Sequence, residues 1–367
     1  MTIKKRLGIL TSGGDCPGLN AVIRAVVHHA TLTYNWEVVG IPYATRGLLD
    51  REATPLSVHG LDLRGIDPLL NMGGTILGSI NKGDTLAHVE EIVAGYYALG
   101  LDALIGIGGD GSLAILHQLQ TQGNWQFVGI PKTIDNDVGQ TQRVVGFDTA
   151  VNTVVDALNR LTFTACSHDR VMIVEVMGRN AGHLALQSGI AGGADVILIP
   201  EIPYSIRGVC EHLEQLRHRG RRFAIIVVAE GIQVATDSPA YTFCDSAPLL
   251  QPQRPSCGRG QYIADEIRVL TDDLDIRVSV LGHIQRGGIP SALDRLIATA
   301  FGKAAVDLLA NGETGRMVAW QNGQVVAVPL EAVLAESPCL VSPHNFLVET
   351  ARSLGTYIGD RPNFSPR

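Results

Sequence analysis

Eight short runs of Val, Ile and Leu, most of them followed within a few positions by glycine, constrain the fold of this chain more than any other feature. They cover residues 7–10, 38–41, 103–107, 127–130, 171–176, 196–199, 224–229 and 278–281. A strand buried on both faces reads as a continuous apolar run rather than an alternating one, and this is the mark of a parallel sheet. Helical patterns lie between most of the runs, at 20–30, 112–120 and 149–161 among others. Strand and helix alternating at this length predict a doubly wound α/β architecture, and eight strands predict two sheets. With 367 residues, 46% of them hydrophobic, the chain can bury a core in each of two domains.

The net charge of -7 removes the basic field that nucleic-acid or anionic-membrane binding requires, so neither partner is expected. An anionic ligand must be held by a local site. No window approaches the roughly 20 apolar residues of a membrane span, and the start "MTIKKRLGIL" lacks signal-peptide architecture, so a cytoplasmic protein is expected. The six cysteines, Cys16, Cys166, Cys210, Cys244, Cys257 and Cys339, show no C-x-x-C spacing and are read as reduced thiols. Residues 236–260, carrying Pro239, Pro248, Pro252 and Pro255, break the strand–helix rhythm and read as a surface insertion.

Three glycine-bearing turns follow strands in the first half. In "LTSGGDCPGLNAVIR", Gly13 and Gly14 let the backbone turn sharply before a helix whose free amides suit an anion. The stretch matches neither the P-loop nor the G-x-G-x-x-G fingerprint, and a tight strand–helix turn needs glycine in any case. In "GIGGDGS", Gly109 and Gly111 flank Asp110, and Ser112 opens a helix. A carboxylate beside phosphate-binding amides is what Mg²⁺ bridging to a nucleotide requires. The third turn, "PKTIDNDVG", sets Asp135 and Asp137 one residue apart after Lys132; alternate residues of an extended segment share a face, so the pair is expected to point the same way. If the three strands are parallel neighbours, the turns converge on one crevice.

In the second half, "VMGRNAG" places Met177, Gly178 and Arg179 after a strand, and "AEGI" does the same for Glu230. "RVSVLGHIQRGG" puts Arg277 before a strand and His283 and Arg286 after it. Arg170, Arg179, Arg277, His283 and Arg286 together suit a pocket for a phosphate held by forked guanidinium contacts, although any one of them alone reads as a surface cation.

With these stretches on the page, the chain resembles the 6-phosphofructokinase family from about residue 7 to 302, through "TSGGDCPGLNA", "GGDGS", "KTIDND", "VEVMGR", "AEG" and "RVSVLGHIQRGGIPSALDR". The resemblance implies two Rossmann-like α/β domains with the active site in the cleft between them: residues 1–145 with 283–335 for ATP and Mg²⁺, and 146–282 with 336–367 for fructose 6-phosphate. It implies Asp135 as the general base toward the sugar 1-hydroxyl, Thr133 and Arg179 beside it, Asp110 as Mg²⁺ ligand and Asp137 near the metal. Gly14, Asn81, Lys82, Gly109, Asp110, Gly111, Ser112 and Lys132 would serve the donor. Met177, Gly178, Arg179 and Glu230 would hold the sugar, and Arg170, Arg277, His283 and Arg286 its 6-phosphate. In the family, Arg170 and Arg277 match residues that complete a neighbouring subunit's site, so a homotetramer is expected.

The donor is read from two positions. In the family, aspartate at the Gly111 position with lysine at the Lys132 position goes with pyrophosphate, while glycine at 111 leaves room for the α-phosphate of ATP. The mixed pair here resembles the mixed-substrate branch, and exclusion at 111 outweighs a lysine that either donor accepts, so ATP is the expected donor. A pyrophosphate-dependent phosphotransferase and a non-catalytic sugar-phosphate-binding subunit are the alternatives. Asn81 and Lys82 stand where an arginine facing the γ-phosphate is common, and His28, Thr162 and Phe223 replace basic effector-site positions beside Arg24, Arg221 and Arg222.

Overall fold

The apolar runs become strands in the computed structural model, which describes residues 4–60, 66–80, 85–235, 258–271 and 273–359. The first sheet holds β1 (Arg6–Thr11), β2 (Glu37–Gly40), β3 (Thr54–Leu56), β4 (Ala103–Gly108), β5 (Phe127–Pro131), β10 (Arg316–Gln321) and β11 (Gln324–Pro329), in the order β11-β10-β5-β4-β1-β2-β3. Its five inner strands are parallel, and both edges, β3 and β11, are antiparallel. The second sheet is all parallel, with β6 (Val171–Val176), β7 (Val196–Leu198), β8 (Ala224–Ala229) and β9 (Ile276–Val280) in the order β7-β8-β6-β9. All eight runs read from the sequence are strands here. The central ones, β4, β5, β6 and β8, are buried along their whole length, which is why their sequences show no alternation.

Helices cross between the strands: α1 (Leu19–Tyr34), α2 (Thr45–Asp50), α3 (Val89–Ala98), α4 (Asp110–Gly123), α5 (Phe147–Ser167), α6 (His183–Ala191), α7 (Ile206–His218), α8 (Arg259–Leu270), α9 (Ala292–Ala310), α10 (Leu330–Ala335) and α11 (Phe346–Ser353). Among the described residues no helix is long and apolar enough to cross a membrane. Ser291 caps α9 by accepting from the Asp294 amide at 3.1 Å, and Ser205 caps α7 through the Gly208 amide at the same distance.

The chain forms two units, Met1–Ala150 with Arg286–Cys339, and Val151–Gln285 with Leu340–Arg367. The first crossing lies within α5, beyond the position read from the sequence, for a local reason. The fully buried Asp294 of α9 accepts from the Gly146 amide at 2.9 Å and from the Thr149 amide at 2.8 Å, and it also accepts from the Thr149 hydroxyl. Those bonds tie the first turn of α5 to the first unit. Most of the insertion at 236–260, up to residue 257, lies outside the described residues, as do Asn81 and Lys82.

The two edge strands and β10 escaped the sequence reading. For β10 and β11 a signal was present: Asn322-Gly323 between apolar alternations, with φ 51° and 78° at the two turn residues, is the hairpin dipeptide that a tight primed turn demands.

Candidate active site

Strand order decides where each unit can hold a ligand, because open α/β sheets bind at the carboxyl ends of strands where the order reverses. In the first sheet the reversal lies at β1 and β4, since β2 lies on one side of β1 and β4 on the other. The turns leaving β1 and β4 are the first two glycine turns, and β5, which leads into the third, is next to β4.

The three turns do meet. Gly13 has φ 82°, and a Cβ there would stand 2.9 Å from Ser112 Oγ and 3.2 Å from Lys132 Nζ, so one residue from each turn shares the same small volume. The Lys132 ammonium, only 3% exposed, donates to the Gly14 carbonyl oxygen. Burial holds its pKa below the usual lysine range; the nearby Arg286 cation pushes the same way, while Cys16, Asp15 and Asp135 oppose it. Arg286 lies against Gly14, and its Nη1 donates to the Asp15 carbonyl oxygen at 3.2 Å. Asp110 is the first residue of α4 with Gly109 as N-cap, which places its carboxylate at the positive end of the helix.

Asp135 and Asp137 sit on a turn, contrary to the expectation of an extended segment. β5 ends at Pro131, and Asn136 takes a left-handed φ of 52°, so the strand rule that alternate side chains share a face does not apply. Asparagine tolerates that backbone better than most residues, which accounts for its place between the aspartates. The Asp135 amide donates to Thr133 Oγ1 at 3.0 Å, and the Asp137 carbonyl accepts from the Cys339 amide at 2.6 Å.

Behind the cradle stand residues that the sequence reading passed over. Asn20, fully buried, donates to the Met72 and Gly73 carbonyls at 3.2 and 3.1 Å and accepts from the Ile76 amide at 2.8 Å. It thereby sets the course of the segment 72–80, which returns to the first turn through the Gly13 amide donating to Ile80 O at 3.2 Å. Cys16, also fully buried, donates its thiol to Val145 O at 3.3 Å.

In the second sheet the reversal lies at β6, with β8 on one side and β9 on the other. Met177, Gly178 and Arg179 follow β6, Glu230 follows β8, and His283 follows β9. A Cβ at Gly231 would stand 2.0 Å from the Arg179 carbonyl oxygen, so the loops after β6 and β8 touch. Gln285, fully buried, accepts from the Met177 amide at 3.1 Å and donates to Gly282 O at 2.9 Å, fastening the turn after β9 to the same place. Gln285 was unremarked in the sequence; its only signal was its position inside "GHIQRGG".

Arg170 and Arg277 lie at the other end of that sheet. Arg170 immediately precedes β6, and Arg277 is the second residue of β9, paired in register with Met172. Six residues of β6 separate Arg170 from the loop bearing Arg179, about 20 Å at the rise of a strand. One chain therefore does not gather these cations into a single pocket. Arg170 and Arg277 instead flank Asp275, at 2.7 and 3.0 Å, and hydrogen bonding from Arg170 holds that carboxyl below its usual range.

Comparison with known proteins adds to this geometry. A family model described as phosphofructokinase matches residues 6–309. The chain is 68% identical over 361 residues to a Nostoc sp. protein called ATP-dependent 6-phosphofructokinase 2, covering 98% of this chain and 100% of that one. It is 63% identical to the ATP-dependent 6-phosphofructokinase of Thermosynechococcus vestitus, covering 98% and 94%. Among solved structures, the T-state phosphofructokinase of Pichia pastoris superposes with a TM-score of 0.78 at 29% identity; the match covers 97% of this chain and 37% of that longer one.

Proposed function

The chain belongs to the phosphofructokinase family, and from that premise we propose that it transfers the γ-phosphoryl group of Mg-ATP to the 1-hydroxyl of fructose 6-phosphate, giving fructose 1,6-bisphosphate and ADP. The observation that carries the choice of donor is the space at Gly111. A Cβ there would have no heavy atom within 4 Å, so the first turn of α4 is open where a nucleotide's α-phosphate has to pass. The relatives at 68% and 63% identity bear ATP in their names, which supports the same donor.

In this reading the Gly13–Asp15 turn and the amino end of α4 receive the donor's phosphates through backbone amides, the Lys132 cation and Arg286, which the sequence assigns to the 6-phosphate but which lies against Gly14. Asp110 would hold the Mg²⁺ that arrives with ATP, with Asp137 near it through water, and the ion would supply charge neutralisation at the phosphates. Among the described residues no group of three or more metal-binding side chains is present, and Mg²⁺ held through phosphates needs only one or two carboxylates. Asp135 takes the proton of the sugar hydroxyl. A carboxylate suffices because phosphoryl transfer draws mainly on positioning and charge neutralisation. On the second unit Met177, Gly178, Arg179 and Glu230 hold the sugar and His283 its 6-phosphate. Arg170 and Arg277, at the far end of the sheet, serve the site of a neighbouring copy in a cytoplasmic homotetramer.

Initial rates with ATP and with pyrophosphate on the purified protein test the proposal. Turnover with ATP and little with pyrophosphate is expected; the reverse overturns the donor, and no turnover with either overturns the enzyme reading.

A further inference from the structure

Asp294 has no exposed surface, and a carboxylate so placed must be held by donors. It is the third residue of α9, after the Ser291 cap, where a capping box turns an acidic side chain back onto the amide of the cap. Here that amide is already taken, donating to Thr149 Oγ1 at 2.9 Å. Both Asp294 oxygens therefore serve another segment. Oδ1 accepts from the Gly146 amide at 2.9 Å, and Oδ2 accepts from the amide and the hydroxyl of Thr149.

Gly146 follows Val145, and Val145 brackets Lys132. Its amide donates to Pro131 O and its carbonyl accepts from the Thr133 amide, both at 3.2 Å. These bonds are at the long end of the usual range, so the place of Thr133 depends on what holds Val145. The sheet does not hold Thr133 directly: β5 ends at Pro131, and the Lys132 amide makes the final bond toward β4, to Gly108 O at 3.0 Å. Gly146 has φ 102°, and a Cβ there would stand 2.4 Å from Cys16 Sγ, so the bond to Asp294 secures a backbone that glycine alone takes readily. Beyond Thr133, the Asp135 amide donates to Thr133 Oγ1 at 3.0 Å.

We propose that Asp294 is a positioning residue for phosphoryl transfer: by fixing Gly146 and Val145 it sets the turn that carries Thr133 and Asp135. This rests on the reading of Asp135 as the base and extends it to a buried side chain of α9. A displacement of about 1 Å at the reacting groups can cost on the order of 100-fold in rate, so a small relaxation of this turn is enough to matter.

The test is steady-state kinetics, thermal melts and hydrogen exchange of the full-length protein and of Asp294→Ala, Asp294→Asn and Thr149→Ala. In Asp294→Ala, kcat is expected to fall about 10- to 100-fold while the KM for each substrate stays within about threefold, the pattern of a change felt in the transition state. Asp294→Asn, which can keep one oxygen on the Gly146 amide, should lie between Ala and the parent. Thr149→Ala leaves the Gly146 bond in place, so it should lower the melting temperature with kcat within about twofold of the parent. In both Asp294 variants, peptides covering residues 131–137 and 143–149 should exchange faster together. A kcat within twofold of the parent in Asp294→Ala, an equal loss of kcat in Thr149→Ala, or faster exchange confined to 143–149 overturns the proposal and leaves Asp135 as the base. Should Ala fail to fold, Asn carries the comparison with the same outcomes. Absence of turnover in the parent overturns both readings.

Discussion

The Lys132 ammonium donates to the carbonyl oxygen of Gly14, so a cation carried on the turn after β5 fastens the turn after β1. From sequence alone the lysine bore on which donor is used. In the structure it has a task common to any donor: it holds the backbone of the turn proposed to receive the phosphates. Lys132→Met is expected to lower kcat/KM for ATP about 10- to 150-fold, the equivalent of one charged hydrogen bond of about 1.5–3 kcal/mol. Rates at varied ATP check this, and an unaltered kcat/KM would refute it.

Burial keeps the pKa of Lys132 below the ordinary lysine range. As pH rises, its charge is therefore lost earlier than that of a free lysine, and kcat/KM for ATP should fall on the alkaline side. Lys132→Arg should move that fall to higher pH, because guanidinium stays protonated. The effect on folding has the opposite sign: between the lowered and the ordinary pKa the unfolded chain binds more protons, so the lysine's contribution to stability increases with pH. Kinetic pH profiles and thermal melts separate the two.

Gly111→Asp should fold normally, because the added atoms meet open space and a carboxylate in the first turn of α4 suits the helix dipole. Its melting temperature is expected within about 2 °C of the parent, surface changes being worth within about 0.5 kcal/mol. ATP use should nevertheless collapse, since the new charge meets the α-phosphate. An unchanged KM for ATP in a well-folded variant would remove the exclusion argument.

Gln285→Leu removes an acceptor from the Met177 amide and a donor from Gly282 O, each left half-buried. At about 1–3 kcal/mol per unsatisfied partner, a rise of tenfold or more in the KM for fructose 6-phosphate is expected. Gln285→Glu, which keeps the acceptor, should lie between Leu and the parent. The KM for ATP is the control, and parallel increases for both substrates would point to general unfolding.

Burial pushes the Cys16 thiol up to about 12. It should resist iodoacetamide at pH 8 in the native protein, while the exposed Cys166 reacts, as peptide mass spectrometry will report. Since its folded pKa exceeds the unfolded value near 8.5, the unfolded chain releases this proton first. Stability is therefore lost as pH rises from about 8.5 toward 12.

The sequence disclosed the parts of this fold that rest on uniform burial. β4, β5 and β8 are apolar from end to end because both faces are covered, and no partner needs to be known to read them. The edges are different: β3 has three residues, and β11 is half-exposed, so their apolar content is thin. At the site, Asp110 and Asp135 stood out because carboxylates beside glycine are chemically conspicuous. Asn20, Gln285 and Asp294 did not, because each bonds to a segment far away in the chain, and nothing beside it in sequence betrays that partner. The geometry of Asp135-Asn136-Asp137 was misread because a single left-handed residue cancels the alternation of a strand.

The order in which the first sheet is completed has a consequence for synthesis. β5 pairs with β10, and α1 lies against α9, yet β10 and α9 are encoded after all four strands of the second sheet. A growing chain that has delivered β1 to β5 still exposes the flank of β5 and the outer face of α1 while some 160 further residues are made, from the end of β5 at residue 131 to the start of α9 at residue 292. At about 5–20 residues per second this interval lasts on the order of 10 to 30 seconds. The second sheet, encoded without interruption, can close first, and the first sheet waits on α9 and β10, from residue 292 onward.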